Sequence, residues 1–347
     1  MAVIPDSEER LDESLATTGR LHSLMGVQLL AVGAALPPQR VTNEDLVAIG
    51  CDADWIRKRT GIEERRHAAP GTGASELATL AAERALERAG VSAAEIDLIV
   101  VATATSDTLI PSTACLVQRR LGCVAPAMDL NAACSGFVYG LVTAAQFVKS
   151  GCSRRALLIG VDLMSRTVNP RDPKTYPLFG DGAGAAILAP GEPTQGLLAY
   201  ALGADGNGAE LLCIPGGGSR EPLDPERLAG GRQYLSMSGR PIFKWAVRLI
   251  ADSIRDVLRH AGLGANDVQH VVLHQANRRI LEAAFESLGF RSSQAVVNIE
   301  RVGNTSAASI PLALEEVASA GRIARGDVVL LCGFGAGLTW GTVLLRW

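Results

Sequence analysis

The sequence has no surplus of basic residues and no C-x-x-C pair, and residues 1–25 lack a basic-then-apolar layout. Each gap excludes something. With 33 Lys+Arg against 36 Asp+Glu the formal net charge is −3, which argues against nucleic acid as the main partner. Seven cysteines are an odd number at scattered spacings, giving neither a disulfide framework nor a zinc site. No bound metal is expected, and a reducing cytoplasm fits. Residues 1–25 include Asp6, Glu8, Glu9, Asp12 and Glu13, and are expected to form an acidic, poorly ordered arm rather than a signal peptide. One uncharged run, "VVLLCGFGAGLTWGTVLL" (328–345), has the 18 residues of a minimal membrane span, but four glycines interrupt it. Its Val, Leu and Thr cluster at the two ends, which predicts strand, glycine loop, strand and no membrane span.

What remains is a globular composition, 48% apolar and 20% charged over 347 residues. The length suits two domains or one large α/β unit. Self-comparison shows a duplication. "ELATLAAERALERAGVSAAEIDLIVV" (76–101) resembles "RLIADSIRDVLRHAGLGANDVQHVVL" (248–273), with Gly90 and Gly262 172 positions apart. Gly122 and Gly289 end a second matched pair, offset 167, and Gly151 and Gly321 a third, offset 170. Helices ending in Ala-Gly that alternate with Val/Ile/Leu-rich strands predict βαβ units and mainly parallel sheets. The expected organisation is an arm (1–25), a first half (26–195) and a second half (196–347). The Gly- and Pro-rich segment 196–240 has no match in the first half and is expected to bridge the two.

Three residues could carry chemistry. Cys134, in "DLNAACSGFVYGL", precedes an apolar helix whose N-terminal dipole favours a thiolate, although a lone buried Cys is more often an inert core thiol. Adding 170 to 134 gives Asn304, in "RVGNTSAASIP", so facing halves would bring the two together. His274 follows an apolar strand, at the carboxyl edge where sites in parallel sheets collect. The glycine stretches "FGDGAGAAIL" (179–188) and "GFGAGLTWG" (333–341) lack a P-loop lysine and suit close backbone approach to an oxyanion.

Together, "DWIRKRTGIEERR" (54–66), "NAACSGF" (131–137), "FGDGAGAAIL", "HQANRRI" (274–280), "GNTSAASIP" (303–311) and "GFGAGLTWG" resemble β-ketoacyl-acyl-carrier-protein synthase III. That family comprises initiating condensing enzymes of the thiolase superfamily. The resemblance implies a duplicated, five-layered αβαβα fold and a homodimer. It implies that Cys134 takes the acyl group of an acyl-CoA primer, with the oxyanion held at the backbone of Cys134 and Gly335/Ala336. His274 and Asn304 would then assist decarboxylation of malonyl-acyl-carrier-protein, and no bound cofactor is implied beyond the coenzyme A thioester substrate. Trp55 and Arg59 match a coenzyme A-binding pair, and Phe243 and Phe334 match an acyl and pantetheine channel. Lys244 and Arg279 match a carrier-protein docking patch, and Lys244, Arg248, Arg255 and Arg259 share one helical face. There are departures: Pro173, flanked by Arg171 and Lys174, stands where a coenzyme A arginine is expected. Ile110 replaces a bulky aromatic at the chamber wall, which admits a primer longer than acetyl. Glu286 and Ser287 replace two docking lysines. A secondary-metabolism starter synthase or acyltransferase of the same fold is the alternative; a Cys-His-Asn thioesterase and a non-catalytic partner subunit are weaker ones.

Overall fold

A computed structural model describes residues 15–347. The first half runs β1 (Arg20–Met25), β2 (Val27–Ala35), α1 (Ala53–Thr60), α2 (Ala74–Ala89), β3 (Leu98–Ala102), α3 (Thr113–Leu121), β4 (Ala127–Leu130), α4 (Gly136–Lys149), β5 (Ala156–Leu163) and β6 (Asp181–Pro190). The second runs β7 (Gly196–Ala204), α5 (Gly239–Ala261), β8 (His270–Leu273), α6 (Arg278–Leu288), α7 (Ser309–Ser319), β9 (Val328–Gly335) and β10 (Thr339–Arg346). Helices α2, α3, α5 and α6 end at Gly90, Gly122, Gly262 and Gly289, all left-handed. Glycine meets no Cβ penalty there, so each stop is written into the sequence.

Two five-stranded sheets form the frame, in the orders β2-β6-β5-β3-β4 and β1-β7-β10-β9-β8. Helices α4 and α7 lie between the sheets, with Phe137, Leu141, Ile310 and Leu314 meeting Val100, Leu158, Val329 and Leu331 of both. Helix α2 covers the outer face of the first sheet, and α5 with α6 the outer face of the second. This is the expected αβαβα stack. Both faces of each sheet are covered, which is why β3 reads as an unbroken apolar run and β5 as one broken only by Asp162.

The structure corrects three expectations. The sheets are mixed, with β3–β4, β3–β5 and β8–β9 parallel and the other five pairings antiparallel. Short connections turn the chain straight back between β9 and β10, which only antiparallel neighbours allow. The start of the segment expected to bridge the halves is β7, which pairs with β10 as β2 pairs with β6. The arm is also only partly an arm. The acidic residues 6–13 lie outside the described residues, but residues 20–25 form β1 against β7, the strand beside β10. Leu15 is buried, the Trp245 indole N–H donates to Ala16 O (3.1 Å), and Arg248 donates to Leu15 O (2.7 Å). An unpaired β7 edge would leave backbone groups open, and β1 satisfies them. Among the described residues, no helix is long and apolar enough to cross a membrane.

Candidate active site

The two central helices start at matching turns. Ala133 (φ 46°) and Ser306 (φ 51°) are the only non-glycine residues with positive φ among the described residues, and they stand 173 positions apart. In each turn an asparagine side chain accepts the N–H two residues on: Asn131 Oδ1 from Ala133 N (3.1 Å), Asn304 Oδ1 from Ser306 N (2.9 Å). Helix α4 begins at Gly136 and α7 at Ser309, again 173 apart. The true counterpart of Asn304 is therefore Asn131, and that of Cys134 is Ala307. The offset of 170 came from the helix C-termini. Helix α4 has 14 residues and α7 has 11, so their ends drift by three. Cys134 and Asn304 still meet, because both turns open on one cavity.

That cavity has a volume of about 610 Å³, and Cys134, His274, Asn304, Phe334, Gly335 and Ala336 all line it. Asn304 is clamped from both sides by backbone bonds, its N–H to Leu178 O (2.8 Å) and its carbonyl from Gly180 N (3.0 Å). The His274 ring stands edge-on to Phe334 at 5.2 Å, and its Nδ1 lies 2.6 Å from Ser309 Oγ. A Cβ on Gly335 would fall 2.7 Å from Cys134 Cβ and 3.1 Å from Cys134 N. Only glycine leaves room beside that N–H. The Thr339 hydroxyl lies 2.9 Å from both Ala132 O and Ala336 O, and so joins the two backbone segments flanking this gap.

The electrostatics overturn one expectation. Burial pushes the Cys134 thiol up from 9.0 to about 12, a hydrogen bond with Ser306 pulls it down, and the Asp162 charge raises it. Desolvation thus outweighs the helix dipole, and the resting group is a thiol. Burial likewise drives His274 down from 6.5 to about 3, so the imidazole is neutral. If the Ser309 hydroxyl donates to Nδ1, the proton of the neutral ring sits on Nε2.

Other expected residues divide. Phe243 lines the cavity, and Arg279, which does not, stacks over its ring at 5.7 Å. Trp55 and Arg59 do not line the cavity; they lie on α1, tied to its wall where Asn277 Nδ2 donates to Arg59 O (3.1 Å). Ile110 is not a wall residue of this chain's cavity. It is 89% exposed beside Leu109 (91%), at the tip of a surface loop. Lys244, Arg171, Pro173 and Lys174 are exposed. Arg255 and Arg259 face Asp252 (3.7 Å) and Asp256 (3.1 Å), and Arg248 holds Leu15 O, so that helical face is largely satisfied within the chain. "FGDGAGAAIL" is mostly strand β6, where Gly182 and Gly184 let Leu312 and Pro311 of α7 approach; it is not an oxyanion loop.

Sequence reading missed Ser306, Ser309 and Asp162. Ser306 and Ser309 sit inside the quoted "GNTSAASIP", and Asp162 is an acid in an otherwise apolar strand, a signal in itself. It also missed the apolar cover made by Leu212, Ile214, Leu235 and Met237.

Comparison with known proteins fits this geometry. The models "3-oxoacyl-[acyl-carrier-protein] synthase III" and "3-oxoacyl-[acyl-carrier-protein] synthase III C terminal" match residues 128–206 and 258–347. The chain is 55% identical over 345 residues to the β-ketoacyl-[acyl-carrier-protein] synthase III of Rhodopirellula baltica, covering 94% of this chain and 100% of the relative. Among solved structures, 3-oxoacyl-(acyl carrier protein) synthase III from Pseudomonas aeruginosa is 42% identical with TM-score 0.85, over 93% of this chain and 98% of that one. A priming β-ketosynthase of a polyketide biosynthetic pathway is 34% identical with TM-score 0.84, over 94% and 98%.

Proposed function

The chain belongs to the β-ketoacyl-acyl-carrier-protein synthase III family of condensing acyltransferases, and on that basis we propose how its own residues run the reaction. One observation carries the reading: Cys134, His274, Asn304 and the Gly335 gap line a single cavity. The Cys134 sulfur forms a bond to the carbonyl carbon of an acyl-CoA, and coenzyme A leaves with the thiol proton. The oxyanion lies between the N–H of Cys134 and the backbone at Gly335/Ala336, in a site where donors act at low dielectric. Malonyl-acyl-carrier-protein then enters. His274, through Nε2–H, and Asn304 donate to its thioester carbonyl. The carboxylate–carbon bond breaks to release carbon dioxide, and its electron pair passes into the enolate. The enolate carbon attacks the acyl-cysteine carbonyl, and Cys134 leaves and regains a proton. A donor of this type is typically worth roughly 3–4 kcal/mol. No step requires a bound cofactor.

The cavity's volume of about 610 Å³ and its apolar cover suit primers longer than acetyl. Trp55 and Arg59 would meet the nucleotide end at the mouth, and Lys244 and Arg279 an acidic carrier protein. The exposed Leu109–Ile110 tip supports a homodimer in which it reaches the partner's chamber wall. Seven unpaired cysteines suit a reducing compartment such as the cytoplasm. A starter synthase of secondary metabolism is the second reading, favoured by the likeness to the polyketide priming synthase. Among the described residues no Asp or Glu lines the cavity to activate water, which disfavours a thioesterase. The test is intact-protein mass spectrometry after exposure to a panel of acyl-CoAs, followed by carbon dioxide release from malonyl-acyl-carrier-protein. An acyl adduct on Cys134 and malonyl-dependent carbon dioxide are expected. An acylated enzyme that releases none, or a Cys134→Ala protein of undiminished activity, would sink the reading.

A further inference from the structure

The near-twofold symmetry of the two turns makes a second comparison possible. With the offset of 173, the partner of Cys134 is Ala307, and the partner of Gly335 is Asp162. The matched glycines face the matched turns: a Cβ on Gly160 would collide with Ala307 O, and one on Gly333 would lie 3.0 Å from Ser135 Cα and 3.4 Å from Cys134 O. In the second half, the Ala307 N–H is filled: it donates to Asp162 Oδ2 at 3.0 Å. In the first half, the same place beside the Cys134 N–H is left open by Gly335.

Asp162 is fully buried and has no basic side chain among its hydrogen-bond partners. Its Oδ1 accepts from Ala104 N (2.8 Å), Thr105 Oγ1 (2.9 Å) and Thr103 Oγ1 (3.1 Å). Ser306 adds a further hydrogen bond. A buried carboxylate met by donors alone is costly to keep, and here it fixes the left-handed Ser306 turn that aims Asn304. The backbone of the Cys134 turn, by contrast, is held by Ala132 O and Thr339; Asp162 reaches Cys134 only through its charge and the shared Ser306 hydroxyl.

We propose that Asp162 is a positioning residue for Asn304, its carboxyl oxygen accepting from Ala307 N–H in one half at the place the thioester oxygen takes in the other. This rests on the reading that Asn304 serves malonyl decarboxylation. It predicts a split: losing the carboxylate should slow decarboxylation and spare Cys134 acylation.

The full-length wild type, Asp162→Asn, Asn304→Ala and the double variant are compared in two assays. Acylation is read as coenzyme A release with an acyl-CoA that labels Cys134, and decarboxylation as carbon dioxide release from malonyl-acyl-carrier-protein. For Asp162→Asn, carbon dioxide release should fall at least tenfold in kcat, with KM within twofold and acylation within threefold. The double variant should be no slower than Asn304→Ala alone, within threefold, because both act on one interaction. Unchanged carbon dioxide release, an equal fall in both assays, or multiplied losses in the double variant would each overturn the proposal. Should Asp162→Asn fail to fold, Thr103→Val removes one buried donor to the other oxygen of the same carboxyl, Oδ1, and a two- to fivefold fall confined to carbon dioxide release is expected; no fall, or one shared with acylation, overturns it. A wild type that releases no carbon dioxide would instead sink the functional reading.

Discussion

At Cys134 two elementary effects oppose each other. The amino end of a helix favours an anion by roughly 0.3–1 kcal/mol, up to about 2 when partly buried, whereas full burial can shift a titratable group by as much as about 3–5 pKa units. Burial wins, and the thiol is pushed up to about 12. Iodoacetamide labelling of Cys134, followed by mass spectrometry, should therefore keep rising with pH past 9. A plateau near pH 7 would mean a preformed thiolate–imidazolium pair. His274 makes the complementary prediction. Its pKa is about 3 in the fold against 6.5 unfolded, so its neutral form stabilises the protein above about pH 6.5, and that contribution is lost as pH falls towards 3. Denaturation midpoints should drop across that window, and His274→Gln should flatten the slope by a few kcal/mol at its acid end. The residue types at the site were legible in the sequence. Their protonation states were not, because burial is a property of the fold.

Between elements, the fit of strand to helix turn decides what each glycine is for. Gly335 on β9 and Gly184 on β6 both face a central helix or its entry turn, yet they do different jobs. An added methyl at Gly335 meets Cys134 Cβ at 2.7 Å, and one at Gly184 meets Pro311 Cβ at 2.6 Å. Gly335→Ala should cut Cys134 acylation at least 100-fold, read as coenzyme A release, because it fills the gap beside the attacking sulfur. Gly184→Ala should lower stability by roughly 1–3 kcal/mol through overpacking, and Cys134 should still acylate. Equal acylation by the two variants would remove the oxyanion role given to Gly335. Periodicity and Ala-Gly stops made most helices and strands readable. Mixed strand pairing was not, since a buried apolar run looks alike in either direction.

For the whole molecule, three large apolar side chains stand out among the described residues as almost fully exposed. Leu109, Ile110 and Val124 are 91%, 89% and 96% exposed, and exposed apolar surface of this kind can mark an interaction site. If they bury against a second copy, Leu109→Asp with Val124→Asp should convert the dimer to monomer in light scattering and reduce condensation. A variant that stays dimeric would place the interface elsewhere. Local pattern and residue type were enough for the duplication, the alternation of helix and strand, and the Cys, His and Asn to which we assign the chemistry. Only the tertiary structure decided the register between the halves, because helices of unequal length carry different offsets at their two ends. It alone paired Asn304 with Asn131 and gave Asp162 to Ala307. It also made Cys134 a thiol, since desolvation depends on neighbours that come together only when the two halves close.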